Sequence, residues 1–157
     1  MKTNLLVLTA ALGILFPPLL RAEPHDSHDA DHAHAEKAAG PNGGRVIDSV
    51  DPHFEFFVTP GRMVKITFLG ADGNAVAPAG QIVTAIGGDR SKPTRLSFAM
   101  VDGALISDKA LPEGNMIPLV LQVKVSPESK SVNTKFMVNL AECPGCRHKE
   151  YACVCEH

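Results

Sequence analysis

Val64-Lys65-Ile66-Thr67-Phe68, near the middle of the chain, alternates apolar and polar side chains without a break. A period of two puts one face of an extended strand on a core and the other toward water. The same alternation returns in Leu119-Val120-Leu121-Gln122-Val123-Lys124-Val125 and in Phe136-Met137-Val138-Asn139-Leu140. Shorter stretches of this kind are 45–50, 53–59, 81–86, 94–101 and 104–107. Turn formers separate them: Asp51-Pro52, Pro60-Gly61, Asp72-Gly73, Gly87-Gly88-Asp89, Asp102-Gly103 and Pro127-Glu128. Seven or eight short strands within 45–140 imply an all-β domain, an antiparallel sandwich of immunoglobulin-like layout. Asp102-Gly103 is the clearest hairpin turn. The inward set is Phe54, Phe56, Val64, Ile66, Phe68, Leu96, Phe98, Leu121, Val123, Phe136 and Val138, enough for one small core.

Upstream of this domain the composition changes twice. Lys2 precedes an apolar run from Leu5 to Leu20, interrupted by Thr9, Gly13 and Pro17-Pro18, and Arg21-Ala22 leads into polar sequence. A positive start, a short apolar stretch and a small residue at its end are expected of a cleaved secretory signal, residues 1–22. An anchor helix would need about 20 apolar residues and would hold the Pro17-Pro18 pair inside it. The expectation is an exported bacterial protein, periplasmic or secreted, with no membrane span after cleavage.

Residues 23–44 contain no Val, Ile, Leu or aromatic side chain and are predicted to be a disordered leader. His25, His28, His32 and His34 are interleaved there with Asp26, Asp29, Asp31 and Glu36. Neutral imidazoles suit Zn²⁺ and Cu²⁺, and the carboxylates add a local field that draws cations in. An amino-terminal Cu²⁺ chelate at His25 is excluded, because Pro24 has no backbone N–H to lose. A solvated linker with incidental histidines is the bland alternative.

All four cysteines of the 157-residue chain fall in its last segment, residues 141–157. Cys143-Pro144-Gly145-Cys146 is followed, six residues later, by Cys153-Val154-Cys155-Glu156-His157. Two close pairs can set four sulfurs around one ion, and Pro144-Gly145 favours a tight turn that aims the first pair together. Thiolates suit Zn²⁺ and Cu⁺, so the expected cofactor is Zn or Cu, with His148 and His157 as further ligands. Export also allows disulfides, of which Cys143–Cys155 with Cys146–Cys153 is the sterically reasonable pairing. A thioredoxin-like redox pair is a poor fit, because no βαβ pattern surrounds it.

Gly40-Pro41-Asn42-Gly43-Gly44-Arg45-Val46, directly after the histidines, resembles a segment near the amino end of periplasmic adaptor subunits of heavy-metal efflux pumps. In those proteins a similar run precedes a small β-domain with a strand like His53-Phe54-Glu55-Phe56-Phe57-Val58. The layout is also similar to small exported proteins with a Cys-rich tail. The resemblance implies metal handling in the envelope, His25, His28, His32 and His34 as leader ligands, His53 as a further one, and an efflux component as partner. The chain lacks the long helical hairpin and lipoyl-like domain of a pump adaptor.

Other functions find no support in the residues. A net charge of −2, with aromatic residues at 5%, gives no electrostatic case for nucleic acid. No nucleophile elbow, phosphate loop or His-Glu-x-x-His occurs, and Asp48, Asp51 and Glu55 have no partner pattern for acid–base work. The expected protein is therefore not an enzyme. Met63, Met100, Met116 and Met137 are expected as core fillers rather than thioether ligands. Two function classes remain: heavy-metal capture, buffering or efflux support, and an envelope interaction module with a structural tail.

Overall fold

The alternating stretches become strands in a computed structural model of the protein, which describes residues 38–155. They are β1 (Arg45–Ile47), β2 (Phe54–Val58), β3 (Met63–Leu69), β4 (Ala75–Val76), β5 (Ile82–Gly87), β6 (Thr94–Val101), β7 (Ala104–Ala110), β8 (Met116–Lys124) and β9 (Val132–Asn139). Every pairing is antiparallel, and the hydrogen-bonded path runs β1-β2-β3-β7-β6-β5-β8-β9, with the short β4 added to β3. Asp102 and Gly103 both take positive φ, 48° and 76°, in the two-residue turn between β6 and β7, as a hairpin that matches strand twist requires.

The sheet curls into two facing halves through β6. Its first residues, from Thr94 to Ser97, pair with β5, and the following ones, from Phe98 to Val101, pair with β7. The two ends of the path then meet. Phe56 of β2 and Phe136 of β9 make an edge-on ring contact at 5.1 Å. The Arg45 guanidinium of β1 lies 4.8 Å from the Phe136 ring centre, and the Ser49 and Thr134 hydroxyls are 3.1 Å apart. The expected all-β, antiparallel architecture is thus present as one curled sheet.

The core follows the alternation. Phe54, Phe56, Val64, Ile66, Phe68, Leu96, Leu121, Val123 and Val138 are buried. Phe98 and Phe136 are only partly buried: Phe98 sits where β6 changes partners, and Phe136 lies on the seam between the sheet ends. Core filling by methionine does not hold for three of the four. Met100, Met116 and Met137 are exposed by 62%, 60% and 43%. In β8 and β9 the reason is the same period of two, since Ile117 and Val138 beside them take the inward positions.

One polar feature lies beneath the surface. Glu55 is fully buried in β2, between Phe54 and Phe56 but on the opposite face. The turn from Gly40 to Gly44 wraps over it. Glu55 Oε1 accepts from the backbone N–H groups of Asn42 (2.9 Å) and Gly44 (2.7 Å), and Oε2 accepts from Asn42 Nδ2 (2.6 Å). Lys65 Nζ donates to Asn42 Oδ1 at 3.0 Å. The glycines make the close wrap feasible: a Cβ on Gly40 would stand 2.5 Å from the Glu55 carboxyl carbon, and one on Gly44 would meet the Phe56 carbonyl. Residues 38–44, expected at the end of a disordered leader, thus include a hydrogen-bonded turn, and Ala39 forms a bridge with Arg45. Among the described residues no helix is long and apolar enough to cross a membrane.

Candidate metal centre

After β9 the chain folds back in a short hairpin. Cys143 N–H donates to the His148 carbonyl (3.0 Å), Glu150 N–H to the Ala141 carbonyl (2.9 Å), and Glu142 bridges Lys149. The Lys149 ammonium also lies 3.4 Å from the Glu142 carboxylate. Pro144-Gly145 closes the loop that carries the first cysteine pair. Gly145 has a steric reason to be glycine, since a Cβ there would lie 3.0 Å from Cys155 Sγ. A 3-10 turn at Glu150–Ala152 then brings the second pair back toward the first.

The turn is held by what it buries. Tyr151 and Ala152 are 5% and 3% exposed and belong to the core of the sheet. The Tyr151 ring meets Phe56 edge-on at 5.8 Å. Its hydroxyl accepts a hydrogen bond from the Val58 N–H at 3.0 Å. Burial pushes the Tyr151 phenol above its ordinary range.

Cys143, Cys146, Cys153 and Cys155 come together so that all four sulfurs lie within 4.8 Å of one another. Cys143 to Cys153 is 3.2 Å, Cys146 to Cys153 is 3.8 Å and Cys143 to Cys155 is 4.0 Å. A tetrahedron with metal–sulfur bonds of about 2.3 Å has edges of about 3.8 Å, so the four sulfurs frame a volume that one ion fits. The shortest of these separations is well beyond the about 2.05 Å of a disulfide. Cys143 is buried, and the other three are half-buried. The group can hold a metal ion.

The sulfurs are electrostatically unequal. The His148 N–H donates to Cys146 and, as the largest influence, lowers its thiol to about 7. Cys155 is raised to about 12, first by its hydrogen bond to Cys153. Cys153 is raised as well, first by its hydrogen bond to Cys143. Cys146 therefore forms a thiolate readily, while Cys153 and Cys155 keep their protons until a cation offsets the added charge.

The histidine ligands expected from the sequence separate into two groups. His25, His28, His32, His34 and His157 lie outside the described residues. His148 does not join the sulfur group. Its Nδ1 would be 3.4 Å from a Cβ on Gly43, so its ring lies against the glycine turn. His53 is exposed just before β2 and lines a cavity of about 1200 Å³ that Ala38, Ala39, Cys153 and Cys155 also line.

Two determinants escaped the sequence reading. Tyr151 anchors the cysteine hairpin, and its being the only tyrosine, set between the two cysteine pairs, was a usable signal. Glu55 organises the glycine turn, and a carboxylate flanked by Phe54 and Phe56 carries no such signal. No protein-family model matches the chain, and no curated protein or solved structure matches it either.

Proposed function

We propose that this is an exported, non-enzymatic metal-binding protein that captures and buffers Zn²⁺ or Cu ions in the bacterial envelope. The observation that carries the reading is the convergence of four cysteine sulfurs within 4.8 Å. Four sulfurs in a tetrahedron favour Zn²⁺, and the same soft donors accept Cu⁺. Cys143, Cys146, Cys153 and Cys155 hold one ion tightly, while His25, His28, His32 and His34 collect ions loosely. The leader's composition supports that second role, and an efflux component is the partner that such a protein would serve.

Native mass spectrometry of protein exported to the periplasm and purified without chelators tests this. The expected result is one Zn or Cu held by the tail, lost in the Cys146→Ser/Cys153→Ser variant. A metal-free mass four hydrogens light, meaning two disulfides, would overturn tight binding by the tail.

A second reading is favoured by the burial of Tyr151 and Ala152. There the ion fastens the tail onto the sheet, and the protein is an envelope interaction module. Metal binding with no dependence of envelope metal tolerance on the cysteines would select it over capture.

A further inference from the structure

The four sulfurs are not evenly spaced. Cys143 and Cys153 stand 3.2 Å apart, inside the edge of about 3.8 Å that a metal-filled tetrahedron has. Cys146 to Cys153, at 3.8 Å, and Cys143 to Cys155, at 4.0 Å, lie close to that edge. A disulfide needs about 2.05 Å, so the Cys143–Cys153 pair closes to a bond by a sulfur movement of ~1 Å.

The backbone on both sides of this pair is held. The Cys143 N–H donates to the His148 carbonyl at 3.0 Å, and the Cys153 N–H donates to the Glu150 carbonyl at 3.3 Å. Cys153 directly follows Tyr151 and Ala152, which are buried in the core of the sheet. Two groups fixed side by side react far faster than the same groups free in solution. Access differs between them. Cys143 is 3% exposed, whereas Cys153 is half-buried. A dissolved oxidant therefore reaches Cys153 from outside, and Cys143 reaches it from within.

We infer that the metal centre carries an oxidative release device, in which a hydroperoxide joins Cys143 to Cys153 and the ion leaves. This rests on the metal-binding reading above and adds its regulation. With hydrogen peroxide, the Cys153 thiolate, which keeps a lone pair while bound to an ion, attacks one peroxide oxygen. The O–O bond breaks, hydroxide leaves and a sulfenic acid forms. The Cys143 thiolate then attacks the Cys153 sulfur, forming the S–S bond and expelling a second hydroxide. Two thiolates lose two electrons, the peroxide gains them, and two protons from solvent convert the hydroxides to water. Zn²⁺ undergoes no redox change. Of the four donors only Cys146 and Cys155 then remain as thiolates, too few for a closed tetrahedral site. The tail stays docked, because Tyr151 and Ala152 are held by the sheet and not by the ion.

Reduced protein loaded with Zn²⁺ and treated with one equivalent of hydrogen peroxide tests this, with a chromophoric indicator reading the released ion. One Zn²⁺ per chain is expected to appear, with a protein mass two hydrogens below that of the reduced metal-free form. Alkylation and peptide mapping should place the label on Cys146 and Cys155 and find Cys143 joined to Cys153. A thiol reductant should restore binding. Tyrosine emission reports docking of the tail, because Tyr151 is the only tyrosine of a chain without tryptophan. It should keep its folded value throughout. Zinc retained after peroxide treatment overturns release while the metal centre stands. Release with another cysteine pairing, with no disulfide, or with emission shifted to that of urea-unfolded protein overturns the local Cys143–Cys153 bond as its cause. If the reduced protein holds no Zn²⁺, the centre itself fails, and release with it.

Discussion

The hydroxyl of Tyr151 accepts a hydrogen bond from the backbone N–H of Val58 at 3.0 Å, joining the cysteine hairpin to β2. Tyr151 is also packed on Phe56, so the aromatic ring and the hydroxyl make separable contributions. Tyr151→Phe keeps the ring and leaves the Val58 N–H without its acceptor, which should cost about 1 kcal/mol. Tyr151→Ala removes a buried ring and should cost about 3–5 kcal/mol. Urea unfolding checks both values. Equal losses in the two variants would contradict an anchor built from ring packing.

That anchor would make an ion held by the four sulfurs a clamp on the fold. An ion bound only by the folded tail stabilises the native state by mass action. With free Zn²⁺ about a hundredfold above its dissociation constant, the melting temperature should rise on the order of 10 °C. Chelation should reverse the rise, and Cys143→Ser/Cys155→Ser should abolish it. Thermal unfolding with and without chelator reads the difference. An equal rise in the cysteine variant would assign the stabilising ion to another site.

Binding should also release protons, with a definite sign. Cys155, raised to about 12, and Cys153, also raised, hold their protons near neutrality, whereas Cys146 lies at about 7. A metal binds thiolates, so it must displace these protons, and affinity rises with pH. Below about pH 7 Cys146 is protonated too, and affinity should fall more steeply there than above it. Calorimetry in buffers of differing ionisation enthalpy counts the protons released at each pH. A pH-independent affinity would show that the thiols are not the ligands.

What was legible in the sequence follows from how local each signal is. The alternation around Val64 and Leu121 marks strands because side-chain direction depends only on backbone period, and Asp102-Gly103 marks its turn for a similar reason. The cysteine group was legible because its spacing and its chemistry lie within one short segment. The partner switch of β6 from β5 to β7 was not, since it depends on residues distant in the chain. Nor was the burial of Glu55. Its position in β2 reads as outward, and only the glycine turn, arriving from the leader, converts that face into an interior. The exposed Met116 and Met137 teach the converse: the strand period decides their side, whatever their hydrophobicity.

The glycine turn supplies its own test. Gly44→Ala would drive a Cβ into the Phe56 carbonyl, backbone that cannot rotate away, and should cost about 1–3 kcal/mol. Glu55→Gln should cost a similar amount, about 1–3 kcal/mol. Its amide NH₂ would face the Asn42 Nδ2 donor, and an Asn42 flip would turn that NH₂ toward Lys65. Chemical denaturation measures both losses. Gly73→Ala is a useful contrast, because no neighbour lies within 4 Å of its Cβ position and only the positive φ of 76° opposes the change. Its loss should be confined to about 1 kcal/mol.

Cys146 should react before Cys153 and Cys155. The thiolate is the nucleophile, and the His148 N–H pointed at this sulfur lowers it to about 7, so near neutrality about half of it is ionised. Cys153 and Cys155, both raised, remain almost wholly protonated under the same conditions. Limited iodoacetamide labelling of the reduced, metal-free protein at pH 7, followed by peptide mapping, should find the label chiefly on Cys146. Labelling should fall as pH drops below 7, because the thiolate is then protonated. Prior addition of Zn²⁺ should protect Cys146, since its sulfur would be committed to the ion. Uniform labelling across the four cysteines would mean that the His148 N–H does not set the order. Undiminished labelling of Cys146 in the presence of Zn²⁺ would remove it from the ligand set and leave three sulfurs at the centre.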